Sequence, residues 1–512
     1  MKIWKTGTVR ENLLRTGMGC FAFAAGMTLV NIMLLPFARM YHGYRAVETL
    51  AACVLALSMY ALWGRWLMRT DEMRLEEISR RWVPVCVTVL FVIQVTLGYM
   101  MEYTPSGDNF MLYNGSKMLA SDGNFARNPD FGLYLARFSN QWGIVLIFTG
   151  LWKLSTLLGL ERAYMLVMVV QALLYIPGVL STLGAARRVR GVRAQLMLLA
   201  ILMTCMPLYL ASSVLYTDTF SLPFVMMALN LALRVIQEKD AKRQLMLCAA
   251  CGLIMAIGGM IKMTVAIMLI AAAIVWALTL KPVRAAACVG LCSVMLLASN
   301  ALVSRTMLGG PIDIEVYEQQ NTPTIHWFMM SIPTADNPYG EFSGDYALTW
   351  RMMDEGESRE VIMDSIYTRI KDRIYTLRYP DRLLMAALRK NGAAFGDGTF
   401  GLTEMLDDDP VRRNVISSVV LSFGEHYATY RAIASGIFFA HLLMAVAACV
   451  RDIRRRDLSM GIGYVAAFGM MLFLMLWEAR TRYFFGYVPV ILLLGSMAID
   501  IKREGRHHEG KA

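Results

Sequence analysis

Charge is what this sequence most conspicuously lacks. Only 17% of its 512 residues are Asp, Glu, Lys or Arg, against 57% hydrophobic, a balance that excludes an ordinary soluble surface. Stretches 194–215, 264–280 and 464–476 carry no charge at all. At about 1.5 Å per residue each crosses most or all of a hydrocarbon core about 30 Å thick. The period-two alternation of a membrane barrel is also missing. Backbone groups cannot stay unpaired in lipid, so these runs must be helices. The large loops have no cysteine: all nine (20, 53, 86, 205, 248, 251, 288, 292, 449) lie in or at the ends of apolar segments, which excludes a disulfide framework there. Cys248 and Cys251 have metal-like spacing, but no second pair or histidine accompanies them, and they read as small buried hydrophobes. No nucleotide-phosphate loop and no convincing internal repeat of the inverted-transporter kind is present.

What charge there is sits in short basic clusters beside the apolar runs, and the net charge is +11. That is the positive-inside signature of cytoplasmic loops, and no nucleic-acid partner is expected. Starting from Lys2, Lys5, Arg10 and Arg15 in the cytoplasm, spans are expected at about 20–38, 48–67 and 82–101, the last opening an outer loop over 102–142. The run 143–159 is read as juxtamembrane or re-entrant. If it crossed, Arg187, Arg188, Arg190 and Arg193 would face outside. Further spans follow at about 163–185, 194–215, 219–235, 245–262, 264–280, 285–305, 430–450, 458–476 and 482–499. The expectation is therefore an all-α polytopic plasma-membrane protein with about twelve crossings, two large outward-facing loops and both termini cytoplasmic. Its parts are two N-terminal spans with a charged link (1–81), a membrane module (82–306), an outward loop domain (307–429), the last spans (430–499) and a basic tail (500–512). The loop domain shows amphipathic patterning over 359–377, broken at Tyr379-Pro380, then a short helix to Lys390. The acid run 407–409 reads as a solvated turn.

Ionisable residues gather where these spans emerge on the outer side. Asp108 follows the third span, Asp218 lies in the turn Tyr216-Thr217-Asp218-Thr219, and Lys262 ends a span with almost no turn after it. Glu478, Arg480 and Arg482 fill another outer turn. Such groups near a membrane mark a functional site by default. Taken singly, Asp218 is also an ordinary N-cap and Glu478 with Arg482 an i,i+4 pair, whereas Lys262 calls for an anionic partner. His326 and Asp397 are loop candidates.

The order of short motifs resembles the GT-C glycosyltransferases, in particular family 39, the protein O-mannosyltransferase and lipid A aminoarabinose transferase group. The similar segments run from Tyr134 through Arg137 and Asn140 to Gln141, then Tyr216 to Thr219, Thr324 to Trp327, Gly396 to Phe400 and Glu478 to Tyr483, within about residues 82–499. Asp108-Asn109 stands where many members carry an acidic pair, and Ser139-Asn140 where a Pro-Pro is frequent. The resemblance implies a GT-C-type helical bundle and a polyprenyl-phosphate-linked sugar as donor. It also implies inversion at the anomeric carbon and an acceptor that is an envelope polymer, lipid or protein on the outer face. Asp108 is then expected to deprotonate or orient the acceptor hydroxyl, with Asp218 positioning Asp108, the acceptor or a divalent cation. Lys262, Arg480 and Arg482 would neutralise the leaving phosphate. Arg137, Asn140, His326, Glu478 and Asp397 would contact substrate. A hard ion, Mg²⁺ or Mn²⁺, held by Asp108 and Asp218, stays open. The rival readings are a transporter or flippase of lipid-linked saccharide, which wants charges at mid-membrane, and a polysaccharide polymerase or ligase.

Overall fold

The computed structural model describes residues 8–34, 45–105, 107–160, 163–406 and 414–499. The end of the expected first span, Ser106, the acid run 407–409, Lys2, Lys5 and the basic tail lie outside them. Among the described residues the architecture is all-helical. Eight helices are long and apolar enough to cross a membrane: Val9–Met33, Ala46–Arg69, Glu72–Met100, Ala163–Thr204, Thr217–Gln237, Ala241–Ile261, Pro282–Met307 and Tyr427–Arg455. Two shorter apolar helices, Met263–Thr279 and Gly461–Leu476, accompany them.

The longest of these helices cannot be one crossing. Its 42 residues would stretch to about 63 Å, twice a hydrocarbon core. It breaks at Gly191, whose φ of 77° is the left-handed conformation that glycine adopts without a Cβ clash. The break falls inside the arginine cluster, so two crossings meet there, as the charge pattern requires. With this break, the two shorter helices and a final broken helix, the helices correspond to the roughly twelve expected crossings.

Two expected spans are not continuous helices. The segment 194–215 stops being α-helical at Thr204 and continues as Met206–Leu210 and the 3-10 turn Ala211–Ser213. Pro207 has no amide hydrogen to donate, so a helix running through it would lose a bond. The carbonyls released by the break are recovered by side chains of neighbouring helices. Gln94 Nε2 donates to Leu208 O at 2.6 Å, Gln171 Nε2 to Ala211 O at 3.0 Å and the Tyr164 hydroxyl to Ser213 O at 3.1 Å. Irregular backbone survives at membrane depth only when buried and satisfied in this way. The last span is likewise split, into Thr481–Phe485 and Val488–Ser496. Every residue of the second piece is buried, which explains its apolarity on all sides.

Helix Trp142–Leu157 starts beside the C-terminus of Ala241–Ile261 and packs on Ser116 of Gly107–Asp122. Gly143 leaves room for the Met260 carbonyl, where a Cβ could not fit. After the helix, Tyr164 returns to Ser213 and stacks edge-on to Tyr103.

The long loop folds onto one end of the bundle. Arg359–Thr376 and Pro380–Phe395 are helices, close to the expected bounds. Ile362, Ile366 and Ile370, one turn apart, build a small core with Met329, Met353 and Ile332. Pro380–Phe395 turns away from this core: Ala393, Ala394 and Phe395 are buried in the main one. Lys390, 3% exposed, donates from Nζ to Ser331 O at 2.6 Å. Burial pushes its ammonium down to about 7, against the opposing pull of Glu478.

At the far end the basic clusters find partners. Arg190 pairs with Asp452 (2.7 Å) and Asp457 (3.1 Å), Arg451 with Asp452 (2.7 Å), and Arg187 with Glu76 (2.5 Å).

The loop domain carries a pH dependence of its own. His326 is fully buried, with Nδ1 on Thr349 Oγ1 at 3.0 Å and Nε2 without a hydrogen-bond partner. Burial, reinforced by the Arg369 cation, pushes it down to about 4. The unfolded chain takes up the proton first, so stability is full above about pH 6.5 and is lost as pH falls towards 4. The loss should amount to at most about 3 kcal/mol. The opening equilibrium of the Arg359–Thr376 amides, from hydrogen exchange corrected for the intrinsic rate at each pH, should rise as pH falls across that range in the wild type and stay flat in His326→Gln. An equally steep rise in the variant would assign the effect to another group.

Candidate active site

The site is built where helices stop. Helix Gly107–Asp122 opens on Gly107, at φ 49°, and puts Asp108 in its first turn. Helix Pro129–Arg137, with the Asn128 side chain capping Asp130 N, brings Tyr134 back over it. The interrupted segment before Thr217–Gln237 delivers Tyr216. The two tyrosines hold Asp108 one oxygen each: Tyr134 donates to Oδ1 at 3.0 Å and Tyr216 to Oδ2 at 3.0 Å. Gln141 Nε2 donates in turn to the Tyr216 hydroxyl at 3.2 Å. A half-buried carboxylate is thereby fixed in orientation by groups from three elements.

Beside it lies a charged cluster. Asp218, 3% exposed, sits in the first turn of its helix, where the macrodipole favours an anion. Lys262 caps the C-terminus of Ala241–Ile261, where a cation is favoured, and its ammonium pairs with Asp218 Oδ1. The same ammonium lies 4.4 Å from the Tyr483 ring centroid. Arg482 Nε stands 3.9 Å from Asp218 Oδ2, and its guanidinium faces the rings of Tyr216 at 5.1 Å and Tyr483 at 5.2 Å. Tyr216 therefore touches both Asp108 and the cation side of the cluster. Tyr483 closes the loop by donating to Glu478 Oε2 at 3.1 Å. Burial raises the Glu478 carboxyl above its ordinary range, while Arg482 and Arg480 oppose that shift. Arg480 itself points outward to Glu404, at 3.9 Å. The turn that carries these groups is anchored to the loop domain, since Ala479 N donates to Gly340 O at 2.9 Å.

Of the residues singled out from sequence, the structure thus brings together Asp108, Asp218, Lys262, Glu478 and Arg482, with Arg480 at the rim. Four others lie outside this cluster. Arg137 grips Gln320 Oε1 (2.9 Å) and Asp354 and stacks on Trp350 at 4.8 Å, tying the first loop to the second. Asn140 is exposed. His326 belongs to the loop-domain core. Asp397 is buried in its own turn, accepting from Thr399 N at 2.9 Å and Thr399 Oγ1 at 2.8 Å. The residues not anticipated are Tyr134, Tyr216, Gln141 and Tyr483. Each stood inside a motif, but a phenol gives no sign in sequence of which carboxylate it will reach.

A divalent cation does not fit this donor set. Asp218 is already met by an ammonium, with a guanidinium close by, and each Asp108 oxygen already accepts one hydroxyl. A hard ion needs six or more oxygen ligands free of such competition. No group of three or more metal-ligating side chains occurs among the described residues.

No curated protein matches this chain. Among solved structures, ArnT from Cupriavidus metallidurans bound to undecaprenyl phosphate is similar at 16% identity, with a TM-score of 0.35, over 80% of this chain and 77% of that one. At that score the two helix arrangements differ too much for either to speak for the other. A family model described as conserved hypothetical integral membrane protein matches residues 45–502. This chain, with its dozen or so crossings and its charged cluster at one end of the bundle, belongs to that family of integral membrane proteins.

Proposed function

We propose that this protein is a membrane glycosyltransferase that moves a sugar from a polyprenyl-phosphate donor to an acceptor of the cell envelope. The observation that carries this reading is the juxtaposition at Tyr216: a carboxylate oriented by two hydroxyls on one side, and the half-buried cations Lys262 and Arg482 on the other. Group transfer from a lipid phosphate asks for both, a base for the attacking hydroxyl and cations for the departing anion. Arginine suits the second task because its planar fork matches phosphate oxygens.

In this mechanism the acceptor oxygen attacks the anomeric carbon as its proton passes to Asp108. The bond from that carbon to the phosphate oxygen breaks, and the electron pair leaves on the phosphate. Lys262 and Arg482 neutralise the charge, Arg480 adds to it from the rim, and one displacement inverts the centre. Asp218 holds the two inner cations in place. The site would face outside, with both termini in the cytoplasm, because the arginine clusters gather at the opposite end. The order of motifs similar to family 39 supports the donor class.

The test is transfer of radiolabelled sugar from a panel of polyprenyl-phosphate sugars by purified protein in liposomes, with envelope extract as acceptor. Asp108→Asn keeps the shape, turns one of the two acceptor oxygens into a donor and removes the base, and should lower turnover by about 10²-fold or more. Wild-type turnover in that variant would discard the base. Arg482→Lys keeps the charge but not the fork and should lower kcat more than it raises KM. Movement of donor across the bilayer without sugar transfer would replace the enzyme by a flippase.

A further inference from the structure

The end of the bundle away from Asp108 holds a groove that the reaction does not use. It has a volume of about 600 Å³ and runs between helix Ala46–Arg69, the 192–204 helix, helix Tyr427–Arg455 and the chain around Ile499. Its wall is apolar, with Leu57, Met197 and Met444 contributing. Tyr60 offers its ring alone, because its hydroxyl is bonded inward to His441 Nε2 at 2.8 Å. Gly64 lies on the groove without a side chain of its own, and a Cβ there would just reach contact with Met197 Cε, at 3.4 Å. Arg65 and Arg69 stand on the groove, one turn apart on one helix face and therefore neighbours.

Those two arginines differ from Arg190, Arg193 and Arg451 nearby. Arg190 and Arg451 meet Asp452, and Arg193 donates to Leu67 O at 3.1 Å and Thr70 O at 3.2 Å. Neither the Arg65 nor the Arg69 side chain has a hydrogen bond or ion pair among the described residues. Two adjacent guanidinium groups above an apolar groove of this volume present opposite chemistries a few ångströms apart. One molecule satisfies both, an amphiphile with an anionic head and hydrocarbon tails.

We infer that this groove is a binding site for an acidic phospholipid. The phosphate sits between Arg65 and Arg69, and an acyl chain lies along Leu57, Met197 and Met444. A basic cleft between membrane helices beside a charged leaflet is where such lipids are held. This site does not depend on the proposed transfer reaction, and its occupant is not the donor.

The inference is tested by native mass spectrometry of the full chain released from liposomes of equal phosphatidylglycerol and phosphatidylcholine. The wild type should retain about one phosphatidylglycerol in preference to phosphatidylcholine. Arg65→Gln with Arg69→Gln should lower that preference about tenfold, and Gly64→Leu, which adds a side chain on the groove, should lower total retained lipid with both arginines present. Thermal unfolding serves as the check that each variant is folded. Equal retention of both lipids, undiminished phosphatidylglycerol in the double arginine variant, or no retained lipid in the wild type would each overturn the site. Because the readout is bound mass, a failure of sugar transfer leaves it untouched.

Discussion

The position of Tyr216 depends on a helix that fails to finish. Between Thr204 and Thr217 the chain runs as a turn of helix, a 3-10 turn and two extended residues, in a place where apolar composition alone would carry an α-helix across the membrane. That irregularity is tolerated because Gln94, Gln171 and Tyr164 take up the freed carbonyls. Removing those donors would leave buried carbonyls unpaired, each costing about 1–3 kcal/mol. With them in place, Tyr216 emerges at the N-terminus of the next helix, close enough to bond Asp108 and to lie under Arg482. The polar side chains of two neighbouring helices thus act at a distance to build the site, although none of them touches it.

The two ends of the bundle solve the problem of charge differently. In the cluster around Asp218 the ions are few and enclosed, and each is engaged by a partner of opposite sign or by a phenol, as in Lys262 with Asp218 and Tyr483. Burying such a set is costly unless every member is satisfied. That cost is the mark of a place where charge is needed. At the other end arginines outnumber acids, several bond backbone carbonyls instead, and two stand over an apolar groove. Cations without acids are stable there because water and lipid headgroups are within reach.

Much of the architecture was legible from residue order. The Arg187–Arg193 cluster demanded a turn, and Gly191 supplies it. The 359–377 pattern reads as a helix because its isoleucines recur every four residues. Asp218, Lys262, Glu478 and Arg482 were found by placing span ends on a common face, a bookkeeping of charge that needs no contacts. The same bookkeeping could not separate Arg137, His326 and Asp397 from them. A polar residue in an outer loop reads alike whether it ties two loops together, lies in a small core or pins a turn. The breaks at Cys205 and Gly486 were equally hidden, because hydropathy does not distinguish a helix from a buried interruption of one.

Composition and patterning by themselves determined that this chain crosses the membrane many times as helices, since apolar runs in lipid leave the backbone no other way to satisfy itself. They also determined which residues lie at span ends, because charge is confined there. Only the tertiary structure decided which of those ends meet. Asp108 and Tyr216 are 108 residues apart, and Asp218 and Lys262 are 44. Their encounter depends on how helices pack and where one of them breaks, and packing is a property of shapes in contact, which local sequence does not contain.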